Sequence, residues 1–342
     1  MKIIGLLTAW ACEDWIEYSI QQALELVDEL LISIGPHDKY LKRIKDSTNE
    51  KAQKYLNNNK IKFFETICDK NYAADENKCA TLNKMIQESN NIAIGNVLWI
   101  LDSDEFYFEE SINEIKTYIE KNDFDQIDLK SNFFCFNLKY YIKTSHIRLF
   151  KIKSNNFYFS ETQTPNPRPK KTITLLNKYP MFHYSLLTGE QLKGIYWMSY
   201  EGYFSQFLWY LKIFNHYDPN NEEYWMKKNQ DLTGNYGFWF NDENITEHNG
   251  HGLFVYDGKH PDLIENSHLK AISDFREYMK NKPNYKMYLD VIKEVIAEKK
   301  KFNFTKFRRE KIFKIMTSLR KRYYLNNVIE KINNKLVRIG IL

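Results

Sequence analysis

Cysteine is scarce in this chain and follows no pattern. Cys12, Cys68, Cys79 and Cys135 are the four in 342 residues, with no CxxC pair and no finger-like spacing. That argues against a cysteine-held zinc centre and points to reduced thiols in the cytosol. Long hydrophobic runs are missing as well: none approaches the roughly 20 apolar residues that a membrane-spanning helix needs. The opening Met1 to Cys12 is apolar but carries one lysine and flows straight into a helical pattern, so a first buried strand is expected there rather than a secretion signal. No internal repeat or low-complexity linker interrupts the sequence. No groove-reading or base-stacking motif accompanies its positive charge, and nucleic acid is not an expected partner.

What is present is a soluble, globular composition, 43% hydrophobic and 27% charged, long enough for one large domain or two moderate ones. Aromatic residues are abundant, with 24 Tyr, 23 Phe and 7 Trp. Many fall between Phe133 and Trp239, where they suit either core packing or flat sugar-binding surfaces. The net charge of +5 conceals an asymmetry. Lys299 to Leu342 holds 14 Lys or Arg against Glu310 and Glu330, whereas the preceding residues carry 35 basic and 42 acidic side chains. In the tail, Phe302, Phe307, Ile312 and Phe313 alternate with Lys306, Arg308, Arg309 and Lys314. This mixture suits an amphipathic helix on an anionic membrane, or a basic extension packed on an acidic body or a second subunit.

Through residue 105 the periodicity alternates between strand and helix. Strands are expected at Ile3–Thr8, Leu30–Ile34, Ile61–Phe64 and Val97–Leu101. Helices are expected at Asp14–Leu26 with Asp14 as cap, at Thr48–Leu56 and at Asp75–Glu88. Such alternation with short links predicts a parallel sheet covered on both faces. Beyond it, Phe133–Leu138, His146–Ile152, Thr172–Asn177 and Met181–Tyr184 read as strands of a less regular sheet. Ser160 to Pro169 is a proline-stiffened loop, Gln191–Phe214 an aromatic helical segment and Asn229–Gly250 a polar loop.

The most informative stretch is Val97-Leu98-Trp99-Ile100-Leu101-Asp102-Ser103-Asp104-Glu105-Phe106. A buried strand ends abruptly in two carboxylates separated by one serine, at the edge where open α/β sheets bind ligands. Spaced this way, Asp102 and Asp104 suit a shared divalent cation with positions left for phosphate oxygens. A turn that merely caps the helix from Glu109 would use the same residue types.

In this setting the chain resembles GT-A fold nucleotide-sugar glycosyltransferases, specifically family-2-like bacterial enzymes. Four segments over roughly residues 1–265 carry the likeness: Ile3 to Glu13 with the Asp14-Trp15-Ile16 helix start; Val27 to Asp38; Asp75-Glu76-Asn77-Lys78 ahead of Trp99 to Phe106; and His183-Tyr184 with Gly258-Lys259-His260-Pro261. The resemblance implies a GT-A Rossmann-like α/β fold with a mixed, mainly parallel sheet flanked by helices. To this would be added aromatic-rich helical segments and a basic C-terminal helical tail. It implies a catalytic domain over 1–265, divided into a nucleotide-binding half (1–105) and an acceptor-side half (106–265), and a helical extension over 266–342.

The activity implied is inverting transfer of a sugar from a nucleotide-diphosphate donor to a hydroxyl of a glycan or lipid-linked acceptor. Asp102 and Asp104, the latter more directly, would hold Mn²⁺ or Mg²⁺, with His183 as third ligand and His260 as a weaker candidate than a fixed turn. Thr8, Ala9 and Glu13 would line the donor base. Asn77 and Lys78 would approach the ribose and diphosphate, and Asp38 and Ser103 would complete the donor site. Glu161 would act as general base, ahead of Asp242 and Glu243. Trp197, Tyr200 and Trp209 suit an acceptor platform or a core stripe. One departure stands out: Ser33 and Ile34 occupy the end of the second strand, where family-2 enzymes commonly have a carboxylate pair, which leaves Asp38 as the nearest acid. The expected setting is cytoplasmic, peripheral on the inner face of the membrane, with a homodimer compatible.

Two other readings compete. A sugar nucleotidyltransferase would need a Gly-rich, basic phosphate loop, whereas Leu6 to Asp14 has neither glycine nor a basic residue. A noncatalytic glycan- or membrane-binding protein on the same scaffold would retain its ligand in an Asp102→Ala variant.

Overall fold

A computed structural model describes residues 1–89, 92–160, 164–175, 180–187, 221, 254–291, 293, 294 and 297, without the side chains of 185 and 186. Glu161, Asp242, Glu243, the tryptophan-rich segment and the basic tail lie outside the described residues. The chain forms two compact units, Met1–Tyr288 and Leu289–Leu342. No helix among the described residues is long and apolar enough to cross a membrane.

The first half alternates as its periodicity predicts: β1 (Ile3–Ala9), α1 (Ile16–Leu26), β2 (Glu29–Ile34), α2 (Thr48–Gln53), β3 (Ile61–Phe64), α3 (Ala74–Glu88) and β4 (Val97–Asp102). The four strands pair in parallel in the order β3-β2-β1-β4. The two-residue period of a strand splits each one between two cores. Ile3, Leu7, Val97, Trp99 and Leu101 pack with Ile16, Ile20 and Ile115 on one face. Ile4, Leu6, Leu98 and Ile100 pack with Leu82, Met85 and Ile86 of α3 on the other. Each fully buried aliphatic side chain contributes about 1.5–3 kcal/mol. Apolar burial thus holds this half rigid and places its strand exits side by side.

One local expectation is corrected. Asp14 does not cap α1, which starts at Ile16 without a side-chain cap. Its carboxylate instead accepts from the Tyr278 hydroxyl at 2.9 Å and the Lys282 ammonium at 2.6 Å. At α3 the cap is made by Glu76, whose carboxylate accepts from the Ala73 amide at 2.6 Å.

The remaining described elements are β5 (Glu105–Phe106), α4 (Glu109–Lys121), β6 (Gln126–Cys135), β7 (Tyr140–Lys151), β8 (Tyr158–Phe159), β9 (Pro165–Asn166), β10 (Thr172–Leu175), β11 (Met181–Leu186), β12 (Phe254–Val255), α5 (Asp262–Glu265) and α6 (Phe275–Lys280). Antiparallel β7 extends the sheet from β4, and β6, β11 and β5 follow in that order. The result is a mixed, mainly parallel sheet flanked by helices, as expected. Many of its aromatics make core here: Phe134 stacks with Phe182 and Tyr184, Tyr256 meets Phe182 edge to face, and His260 lies tilted against Tyr184.

Candidate active site

The exits of three parallel strands converge. Thr8 of β1 is the register partner of both Ser33 on β2 and Asp102 on β4. The chain then turns back through Ser103 and Asp104 into β5. There Glu105 pairs with His183 of β11, and the Tyr184 amide donates to the Asp104 carbonyl at 2.8 Å. The antiparallel β5–β11 pairing is thus what brings His183 to the aspartates, across some eighty residues of sequence.

Two cations meet two acids here. Lys78 Nζ lies 2.9 Å from Asp102 Oδ1, and Arg148 Nη2 lies 2.9 Å from Oδ2. The Arg148 guanidinium also grips Glu105 through Nε, at 2.8 and 3.0 Å from its two oxygens, and through Nη2. Burial pushes the Asp102 carboxyl up, but Lys78 and then Arg148 outweigh it and hold Asp102 well below the usual carboxylate range. At Glu105 burial prevails over Arg148, and the carboxyl is raised. Burial lowers the Lys78 ammonium, yet the Asp102 charge more than restores it. Asp102 is therefore a fixed anion, each oxygen facing a cation.

Arg148 reaches this position through a β-bulge. The β6–β7 register steps from Ile127↔Leu149 to Asp128↔Ile147, leaving Arg148 without a partner on β6. Burial alternates along β7 until the bulge, where Arg148, Leu149 and Phe150 are buried consecutively. A bulge re-aims a side chain, here inward. Neither Arg148 nor the roles of Glu105 and His146 were apparent from the sequence. The available signal was an arginine set between Ile147 and Leu149, which cannot be buried without an acid.

His183 is 4% exposed. Its Nε2 lies 3.5 Å from Asp104 Oδ1 and makes no hydrogen bond. Its Nδ1 lies 3.4 Å from His146 Nε2 and 3.8 Å from Glu105 Oε1, while Phe133 meets the ring edge to face at 4.6 Å between centroids. Asp102, Glu105 and His183 each offer a ligand atom within 4.8 Å of the others. Mixed carboxylate and imidazole donors suit manganese-like ions, and a buried imidazole nitrogen without a partner is a natural ligand position. Asp102, Glu105 and His183 could hold a divalent cation, and Asp104 Oδ1 lies 3.5 Å from His183 Nε2.

The other expected site residues are placed as follows. Thr8 and Ala9 are buried at the β1 exit, and Ser103 is buried in the turn beside Cys12. Burial pushes the Cys12 thiol up to about 12, so it is inert. Asp38 caps its own turn, accepting from the Tyr40 amide at 2.7 Å. Asn77 is wholly buried and spent on backbone. It accepts from the Asp69 amide at 2.8 Å and donates to the carbonyls of His37 and Asp69 at 2.9 and 3.0 Å. Glu13 is similarly occupied by Lys282 at 2.8 Å and by the Ser47 hydroxyl and amide at 2.8 and 3.1 Å. His260 uses both ring nitrogens, with the Tyr184 hydroxyl at 2.7 Å and the Leu138 carbonyl at 2.9 Å, so the Gly258-to-Pro261 motif is a structural latch. Near Lys78, His37 has both ring nitrogens buried. Burial, then the Lys78 charge, pulls it down to about 3, so it is neutral.

A cleft of about 540 Å³ opens beside His146, lined also by Ile100, Asp128, Thr164, Pro165 and Thr172. A somewhat larger cavity, about 640 Å³, lies at the far end of α3 around Asn83 and Gln87, with no acid, base or histidine among its lining residues.

The sequence matches no protein-family model. It also matches no curated protein. Among solved structures it is similar to residues 1–349 of TarS from S. aureus, at 13% identity and a TM-score of 0.36 over 68% of this chain and 80% of that one. It is also similar to 4-diphosphocytidyl-2C-methyl-D-erythritol synthase, at 12% identity and a TM-score of 0.31 over 44% of this chain and 74% of that one. Both are distant likenesses.

Proposed function

We propose that this chain is a metal-dependent glycosyltransferase that moves a sugar, with inversion, from a nucleoside diphosphate to a hydroxyl of a glycan or lipid-linked acceptor. The observation that carries the reading is the turn closing the parallel sheet, where Asp104 lies 3.5 Å from an imidazole nitrogen that makes no hydrogen bond. Asp104 and His183 would hold Mn²⁺ or Mg²⁺, which when bound supplies positive charge for the departing diphosphate. Lys78 and Arg148 keep Asp102 ionised and fixed, so the turn is preorganised before the donor arrives. Thr8, Ala9, Ser103 and Asp38 are the proposed donor contacts at the strand exits. The proposed part of Asn77 and Glu13 is to brace the loops that frame the donor.

In the transfer itself, the acceptor oxygen attacks the anomeric carbon as the bond to the diphosphate oxygen breaks, and the diphosphate leaves with the electron pair. Glu161 is proposed to take the acceptor's proton. The cleft beside His146 is the proposed room for the acceptor, and the basic tail is proposed to hold the enzyme at an anionic membrane. Calorimetric binding of UDP, GDP, CDP and dTDP, each with Mn²⁺ and with chelator, tests the reading. One nucleotide should bind only with Mn²⁺, and Asp104→Asn should abolish that binding. If no nucleotide binds to the folded protein, the proposal fails.

A further inference from the structure

We infer that His146 is a positioning residue that sets the tautomer of His183 and so turns its Nε2 into a cation ligand. The inference rests on the proposed metal site and adds to it a residue that does not touch the ion.

The geometry of the two imidazoles carries the argument. A neutral imidazole holds one proton, on one nitrogen. If that proton sat on His183 Nε2, a buried N–H would face the Asp104 carboxylate and close to a charge-assisted bond of about 2.8 Å. Instead Nε2 stands 3.5 Å from Oδ1 with no hydrogen bond. On the other side, Nδ1 faces two acceptors. Glu105 Oε1, at 3.8 Å, is already taken by the Arg148 guanidinium. His146 Nε2, at 3.4 Å, is the nearer one. That nitrogen also lies 3.2 Å from the Thr144 hydroxyl, which can donate or accept.

The proton of His183 therefore sits on Nδ1 and points at His146, while the Nε2 lone pair faces the Asp104 side. A buried lone pair beside a carboxylate is unfavourable until a cation joins them, which is how a ligand position is built. Fixing a ligating histidine through its other nitrogen usually falls to a carboxylate or carbonyl. Here a second histidine on β7 takes that part, two residues before the bulge.

The test combines a spectroscopic and a binding measurement on the full chain. Long-range ¹H–¹⁵N correlation spectra of the metal-free protein should show His183 protonated on Nδ1. His146→Leu should shift His183 toward the Nε2–H form and weaken binding of Mn²⁺ alone, read by electron paramagnetic resonance, about 10–100-fold. His146→Gln, whose amide places an acceptor where Nε2 was, should restore both. An Nε2–H tautomer in the wild type, or Mn²⁺ binding unchanged in His146→Leu, overturns the inference. Asp104→Asn separates the two claims. If it loses Mn²⁺ while His146→Leu does not, the metal site stands and the positioning role falls. If Asp104→Asn binds Mn²⁺ as the wild type does, the metal site itself falls.

Discussion

Two buried charge clusters stand at neighbouring strand exits of this protein, and they differ in one respect. After β1, Lys282 joins Glu13 and Asp14, while Tyr278 and Ser47 take further carboxylate oxygens. After β4, Lys78 and Arg148 hold Asp102 and Glu105, but an imidazole nitrogen is left facing Asp104 with nothing bonded to it. The first cluster is closed, and its chemistry ends in holding α6 against the β1 exit loop. The second has a donor atom to spare. Burial and charge are common to both, so neither identifies a functional site. The unmet bond is what carries the proposal of a metal site at the second.

Breaking the open cluster should have the largest effect. Arg148→Leu leaves the buried Glu105 carboxylate without its cation, while Asp102 keeps Lys78, and should cost about 3–5 kcal/mol in urea unfolding. Adding Glu105→Leu should recover part of that loss, because a buried pair replaced by apolar groups is often nearly neutral. A double variant as unstable as the single one would mean that Arg148 matters mainly through Asp102.

The closed cluster should behave differently. Lys282→Met should cost about 1.5–3 kcal/mol by removing charged hydrogen bonds, yet leave Mn²⁺ binding by the folded protein unchanged. Loss of Mn²⁺ binding there would erase the distinction between the clusters. Acid sharpens the same contrast. Burial raises the Glu13 carboxyl, but Lys282 and Ser47 outweigh it and lower it from 4.5 to about 2. Because the folded value is depressed, Glu13 contributes stability above pH about 4.5, and that contribution fades as pH falls toward about 2. Melting temperatures of wild type and Glu13→Gln should therefore converge across that window. Curves that stay parallel would contradict the pairing. The smallest effect belongs to Tyr184→Phe, which removes the 2.7 Å bond to His260. It should cost about 1 kcal/mol and leave metal binding intact, as measured by thermal unfolding beside a Mn²⁺ titration.

The parallel half was legible because strands buried on both faces read as unbroken apolar runs, and the turn at Asp102 because charge cuts such a run short. Saturation was not legible. Glu13 and Asn77 have the right type and position for donor contacts, but their partners are remote in sequence or lie on the backbone: Lys282 is 269 residues from Glu13. Arg148 was hidden for another reason. A one-residue irregularity in pairing decides where it points, and no periodicity announces that. His183 was a candidate through the family resemblance, whereas His146, on a strand of mixed burial, carried no motif.

The bulge on β7 also makes this site sensitive to chain length. A strand counts its residues in twos, and Arg148 is the extra one that lets Leu149 and Ile147 both stay in register with β6. Deleting Ile147 would abolish the bulge, leave His146 in register with Leu129, and set Arg148 in the exposed place of Ile147, away from Glu105. Exchanging one side chain for another here is a local matter. Insertions and deletions in this twelve-residue strand are not, and natural variants of the chain should differ in what β7 carries before they differ in how long it is.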